Sequence, residues 1–168
     1  MPRLHAFELV PDEAGREAVL ADWQALRDAG LPSQLDHTGG TNTPHVTVIA
    51  APVLPDDGRA VDVLGPLLPT RVRATGLLLI GGQKVTVARA LDVDDALVAA
   101  VLGLRAGVAD LAHRGWLPHV TLARRVPRDQ VATALGLLGY ADVELQLTGL
   151  RRWDPAEGTV TGLLPAES

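Results

Sequence analysis

The sequence predicts an α+β fold made of two similar lobes, and three observations carry that reading. Strand-like and helix-like runs alternate, yet turn sequences join neighbouring strands as hairpins, which argues against a parallel doubly wound sheet. The order strand, helix, strand, helix, strand occurs twice, and each time a Pro-His-Val-Thr segment opens the middle strand. The chain has 168 residues and no long Pro/Ser-rich stretch between the halves, so residues 1–168 read as one two-lobed domain.

Each element has a local cause. Residues 3–10 (RLHAFELV) are short, mostly apolar and partly alternating, as in a first strand ended by Pro11. Asp12 then caps a helix to about Ala29, with Val19, Leu20, Trp23 and Leu26 at spacings of three and four and Gly30 as its stop. A polar loop follows from Leu31 to Thr43, and Pro44 opens a strand over His45 to Ala51. A short helix fits between Asp56 and Leu68. The β-rich runs 71–80 and 84–90 meet at Gly81-Gly82-Gln83, a hairpin signal. An Ala- and Leu-rich helix is predicted from Val93 to Ala112, then a strand from His119 to Arg125. Pro127 and Asp129 start a helix that ends near Gly139. Strands at 143–152 and 159–164 close the chain around the turn sequence Asp154-Pro155-Ala156-Glu157-Gly158.

Composition excludes several classes of function. There is no cysteine, so thiol nucleophiles, Cys-based zinc sites and disulfides are absent. The net charge of −5 argues against a surface that coats duplex nucleic acid, because such binding depends on an excess of phosphate-neutralising cations. The first residues contain no apolar core of signal-peptide length, and no apolar run approaches the roughly 18 residues that span a bilayer. The expectation is a soluble, cytoplasmic monomer with no membrane partner. The acidic clusters at Asp56-Asp57 and Asp92 to Asp95 sit where helices begin and suit the helix dipole. The histidines lack a second ligand at metal-binding spacing, so no metal or other cofactor is expected.

The chemistry concentrates in the repeat. Pro44-His45-Val46-Thr47 and Pro118-His119-Val120-Thr121 occupy matched places. Side chains two apart on a strand share a face, so His45 and Thr47 point one way while Val46 and Val48 point the other. His119 and Thr121 do the same. If the lobes meet about a pseudo-two-fold axis, two imidazoles and two hydroxyls converge on one cleft. With an ordinary pKa near 6.5, one imidazole can act as a base while the other, protonated, acts as an acid. The threonines supply neutral donors to an anionic oxygen. Phosphoester cleavage needs this set, and it needs no metal.

At these residues the sequence resembles the two-histidine phosphoesterase superfamily, in its bacterial 2′-5′ RNA ligase and 2′,3′-cyclic phosphodiesterase branch. The resemblance implies a bilobal fold with two antiparallel-rich sheets facing a central cleft and helices on the outer faces. It implies a metal-independent enzyme of RNA processing, acting on the 2′,3′-cyclic phosphate or 2′-5′ linkage of RNA ends or nucleotides. It makes His45 and His119 the acid/base pair and Thr47 and Thr121 the phosphate-binding hydroxyls. It favours His119 as base and His45 as acid, a 2′-phosphate as product, and reversible 2′-5′ ligation as a related activity. A non-catalytic RNA-end-binding module and a hydrolase of another cyclic phosphate, such as an ADP-ribose cyclic phosphate, are the alternatives.

The family places a basic residue just beyond the second motif, where Arg124 and Arg125 both stand. Strict alternation turns Arg125 toward His119, whereas the family position matches Arg124; a bulge would reconcile the two. Phe7 shares its parity with His5 and is a candidate for the cleft or the core. Trp153 and Trp116 are candidate base-stacking platforms, and Phe7 and Trp153 join the arginines as expected substrate-binding residues. His37 lies in the polar loop within possible reach of substrate, while His113 is expected near a helix end.

Overall fold

The structure, a computed structural model, describes residues 3–165. It contains β1 (His5–Pro11), α1 (Glu13–Asp28), β2 (Val46–Ala51), α2 (Asp57–Leu64), β3 (Thr70–Gly81), β4 (Lys84–Asp92), α3 (Asp95–Arg105), β5 (His119–Pro127), α4 (Val131–Leu138), β6 (Val143–Asp154) and β7 (Thr159–Leu164). The α+β class and the doubled order strand, helix, strand, helix, strand are as the sequence predicts, with β7 added at the end.

The two expected sheets are continuous with each other. Six strands run in the order β2-β1-β6-β3-β4-β5, and β7 pairs with β6. Every pairing is antiparallel. The join is the β3–β6 ladder, centred on Val72 opposite Leu145. It follows that the third strand of each repeat leaves its own half and pairs in the other. β1 and β2 are completed by β6, and β4 and β5 by β3. Each half of the sequence is therefore an incomplete half of the sheet.

Local chemistry places the helices. The Asp12 side chain accepts from Gly15 N at 2.9 Å and caps α1. Gly15, Val19, Trp23 and Leu26 form its buried stripe. At Gly15 a β-carbon would stand 3.0 Å from the Pro11 side chain, so any larger residue would need α1 and β1 to give by a few tenths of an ångström. Trp23, Leu26, Phe7, Leu9, Ile49, Leu122, Leu147 and Leu150 are fully buried together with other apolar side chains of both halves. A bidentate ion pair crosses this packing, with Arg89 Nε donating to Asp22 Oδ2 at 2.6 Å and Nη2 to Oδ1 at 3.0 Å. It ties α1 to β4.

The predicted helix over 93–112 is shorter than expected. It stops at Arg105, and Gly107 has φ +84° and Asp110 φ +54°, conformations that no helix continues through. Residues 106–118 instead form an irregular segment leading into β5, so His113 is not at a helix end. Among the described residues, no helix is long and apolar enough to cross a membrane.

Candidate active site

The two motifs sit at the entrances of matched strands. His45 immediately precedes β2, and His119 opens β5. Val46, Val48, Val120 and Leu122 are buried in the core, which turns His45, Thr47, His119 and Thr121 to the opposite face. All four line one cavity of about 770 Å³. Glu8, Arg124, Arg151 and Trp153 line it too, as do His37, His113 and the loop from Gln34 to Asn42.

The support of each motif is duplicated as well. His45 Nδ1 lies 2.8 Å from the carbonyl of Thr43, and His119 Nδ1 lies 2.6 Å from that of Leu117. In both cases Nδ1–H donates to the carbonyl two residues earlier, which sets the tautomer and leaves Nε2 for the cavity. The threonine carbonyls are held by indoles that come from outside the strand. Trp116 Nε1 donates to Thr47 O at 2.9 Å, and Trp23 Nε1 donates to Thr121 O at 3.1 Å. Trp116 is thus a brace between β5's approach and β2. Of the two expected stacking platforms, Trp153 lines the cavity and Trp116 does not.

The symmetry is broken at three matched positions. Glu8 stands opposite Thr47, whereas Ala88 stands opposite Thr121. Arg151 pairs with Glu8, whereas Leu78 pairs with Ala88. Arg124 occupies the place in β5 that Ala50 occupies in β2. Glu8 and Arg151 are buried, joined by Arg151 Nε donating to Glu8 Oε2 at 2.7 Å. Glu8 Oε1 is 3.4 Å from His45 Nε2. On the other side, burial pushes the His119 imidazole down from its ordinary pKa, and the charges of His45, His113 and Arg124 push the same way, against the Leu117 carbonyl.

The arginine conflict is resolved by irregular pairing in β5. Thr121 pairs with Ala88 and Ala123 with Val87, so Leu122 is an extra residue; a second shift follows before Val126 pairs with Val85. Arg125 takes a left-handed backbone with φ +60°. The extra residue at Leu122 inverts the alternation, so Arg124 lines the cavity and Arg125 is exposed outside it. Phe7 needs a correction. Ala6 and Glu8 of β1, with Leu4 just before it, face the cavity, and Phe7, on the other face, is fully buried in the core and cannot meet a substrate. His5, of Phe7's parity, lies 3.7 Å from Asp154 instead.

Glu8 and Arg151 were not among the residues the sequence singled out. Their one signal was charge inside otherwise apolar strands: Glu8 in HAFELV and Arg151 in LTGLRRW. A charge buried in a strand demands a partner. Among the described residues, no group of three or more His, Cys, Asp or Glu is arranged to hold a metal ion.

The fold recurs in solved structures. E. coli LigT complexed with 3′-AMP superposes with a TM-score of 0.54 at 15% identity, covering 96% of this chain and 93% of that one. E. coli LigT complexed with NADP+ gives 0.53 at 16% identity, covering 96% and 94%. Kluyveromyces marxianus Usb1 gives 0.49 at 11% identity, covering 96% and 98%. At these identities the likeness to LigT concerns the fold alone. No curated protein sequence matches the chain at a significant level. A family model does, over residues 10–164 and hence nearly the whole sequence with both motifs inside it: the chain belongs to the 2′-5′ RNA ligase superfamily.

Proposed function

We propose that the protein is a metal-independent phosphoesterase acting on the 2′,3′-cyclic phosphate of an RNA end or nucleotide. Membership of the superfamily gives the coarse activity, phosphoester cleavage or its reversal in ligation. The observation that carries the finer reading is the convergence of two identically supported His-x-Thr pairs on one cavity. The continuous sheet with exchanged strands supports reading the chain as one two-lobed domain.

In this reading His119 is the base. Its lowered pKa leaves Nε2 unprotonated and able to take a proton from water as the water oxygen bonds to phosphorus. The bond from phosphorus to the ribose 3′ oxygen breaks, its electron pair goes to that oxygen, and His45 Nε2 delivers a proton there. A 2′-phosphate remains. Thr47 and Thr121 donate to the phosphoryl oxygens, and Arg124 balances their charge. An RNA 5′-hydroxyl in place of water gives a 2′-5′ bond by the same proton transfers.

The direct test is a substrate panel: 2′,3′-cyclic mononucleotides, cyclic-phosphate-ended RNA and 2′-5′ dinucleotides, with and without EDTA. Turnover to a 2′-phosphate that survives EDTA is expected. Binding without turnover would favour a non-catalytic RNA-end module, and loss with EDTA would overturn the metal-free mechanism. Two further outcomes are expected. Arg124→Met should lower kcat/KM about 10-fold while Arg125→Met leaves it unchanged, because only the former cation lines the cavity. The acid limb of kcat/KM should lie below about pH 6.5, the ordinary histidine value, because the base must be neutral and its pKa is lowered. Activity then falls as pH drops through that lowered value; an acid limb above the ordinary value would exclude His119 as base.

A further inference from the structure

We propose that Glu8, oriented by Arg151, is the positioning residue that selects His45 rather than His119 as the proton donor. The inference rests on the acid/base reading above and deepens it.

The argument is one of acceptors. An imidazole that must arrive with two protons is best held where both nitrogens face an acceptor. His45 has both: Thr43 O hydrogen-bonded at 2.8 Å from Nδ1, and the charged Glu8 Oε1 at an ion-pair distance of 3.4 Å from Nε2. His119 has Leu117 O at Nδ1, and the residue matching Glu8 on its side is Ala88, which carries no acceptor. That is the complement of a neutral ring with its Nε2 lone pair toward the cavity. Two rings with the same scaffold are thereby given different partners, by a carboxylate on one strand of one half only.

Arg151 makes the carboxylate usable. Its Nε holds Glu8 Oε2 at 2.7 Å, which turns Oε1 toward His45. Without that cation a carboxylate this buried would carry a large desolvation cost. Arg151 Nη2 also comes within 3.5 Å of His45 Nδ1 and offsets part of the carboxylate's pull. The remaining titratable groups around the cavity are His119 and Arg124 on β5 and the loop residues His37 and His113. None of them is an acceptor for a protonated Nε2 of the kind Glu8 supplies.

The experiment is the pH profile of cyclic-phosphate hydrolysis by Glu8→Gln, with 2′,3′-cyclic AMP as probe. The alkaline limb, where the proton donor is lost, should move about one unit to lower pH, and kcat at pH 8 should fall about 10-fold with KM changed by less than about 2-fold. Should the orphaned cation prevent folding, Glu8→Gln with Arg151→Met removes it, and a displacement in the same direction is expected, smaller because the cation opposing the carboxylate is gone as well. An alkaline limb that stays in place in a folded variant, whatever the rate, overturns the proposal. The underlying reading fails separately: hydrolysis surviving His45→Ala would remove the donor itself, whereas an unmoved limb with His45→Ala inactive rejects only the role of Glu8.

Discussion

His45→Ala and His119→Ala are each expected to lower kcat/KM for a 2′,3′-cyclic phosphate by at least about 10²-fold, the ordinary worth of a positioned acid or base. Each ring carries a separate proton transfer within a single displacement, so removing either stalls the same step. The double variant should then be only slightly worse than the poorer single one, since groups that act as a unit are not additive. The fold should survive. Each side chain loses the hydrogen bond to the carbonyl two residues earlier, and His45 also its contacts with Glu8 and Arg151, which remain paired to each other, while the core-facing Val46 and Val120 are untouched. Steady-state kinetics beside a thermal melt separates the two effects. Near-wild-type turnover by either folded variant would exclude paired-histidine catalysis.

Much of this site was legible because its logic is local. The period of two along a strand is enough to put His45 with Thr47, His119 with Thr121, and the intervening valines in the core. The duplicated motif then announces that two such faces belong together. What was illegible depends on partners distant in sequence. That Glu8 faces Thr47 and Arg151 is decided by two strand registers, one of them linking β1 to β6 across more than 140 positions. Nothing near Glu8 in the sequence encodes either. The exchange of β3 and β6 between the halves is likewise a choice of partner, so the lobes predicted from chain order are not the halves of the sheet.

Two local readings failed for different reasons. Alternation pointed to Arg125, but the extra residue at Leu122 inverts the phase at Arg124, and a bulge is written in pairing rather than in side-chain pattern. The Ala- and Leu-rich stretch ends locally at Gly107, whose φ of +84° breaks the helix, a stop signal in the sequence that the expectation of a helix to Ala112 passed over. Beyond it the backbone runs to β2, where Ala112 N donates to Ala50 O at 2.9 Å, and on to β5.

That arrangement makes Arg105→Met a large stability change. Arg105 is buried without a carboxylate, and burial pushes its guanidinium down from its ordinary pKa. Carbonyls hold its two Nη atoms: Nη1 donates to Val48 O at 2.7 Å, and Nη2 to His113 O and Gly115 O, while Nε is buried without a partner. Val48 belongs to the first motif strand, while His113 and Gly115 lie on the approach to the second. One side chain thus clamps the segment that carries Trp116, whose indole braces Thr47. Methionine fills similar space and leaves three carbonyls without their charged donor, a loss of about 3 kcal/mol at ordinary hydrogen-bond worth. For a chain of this length that corresponds to a drop in Tm of roughly 6–12 °C. Because the loosened segment leads into His119 and supports Thr47, KM should rise together with the fall in Tm. Hydrogen exchange should quicken first in residues 106–118, and a variant that melts like wild type with unchanged KM would show that the clamp is dispensable.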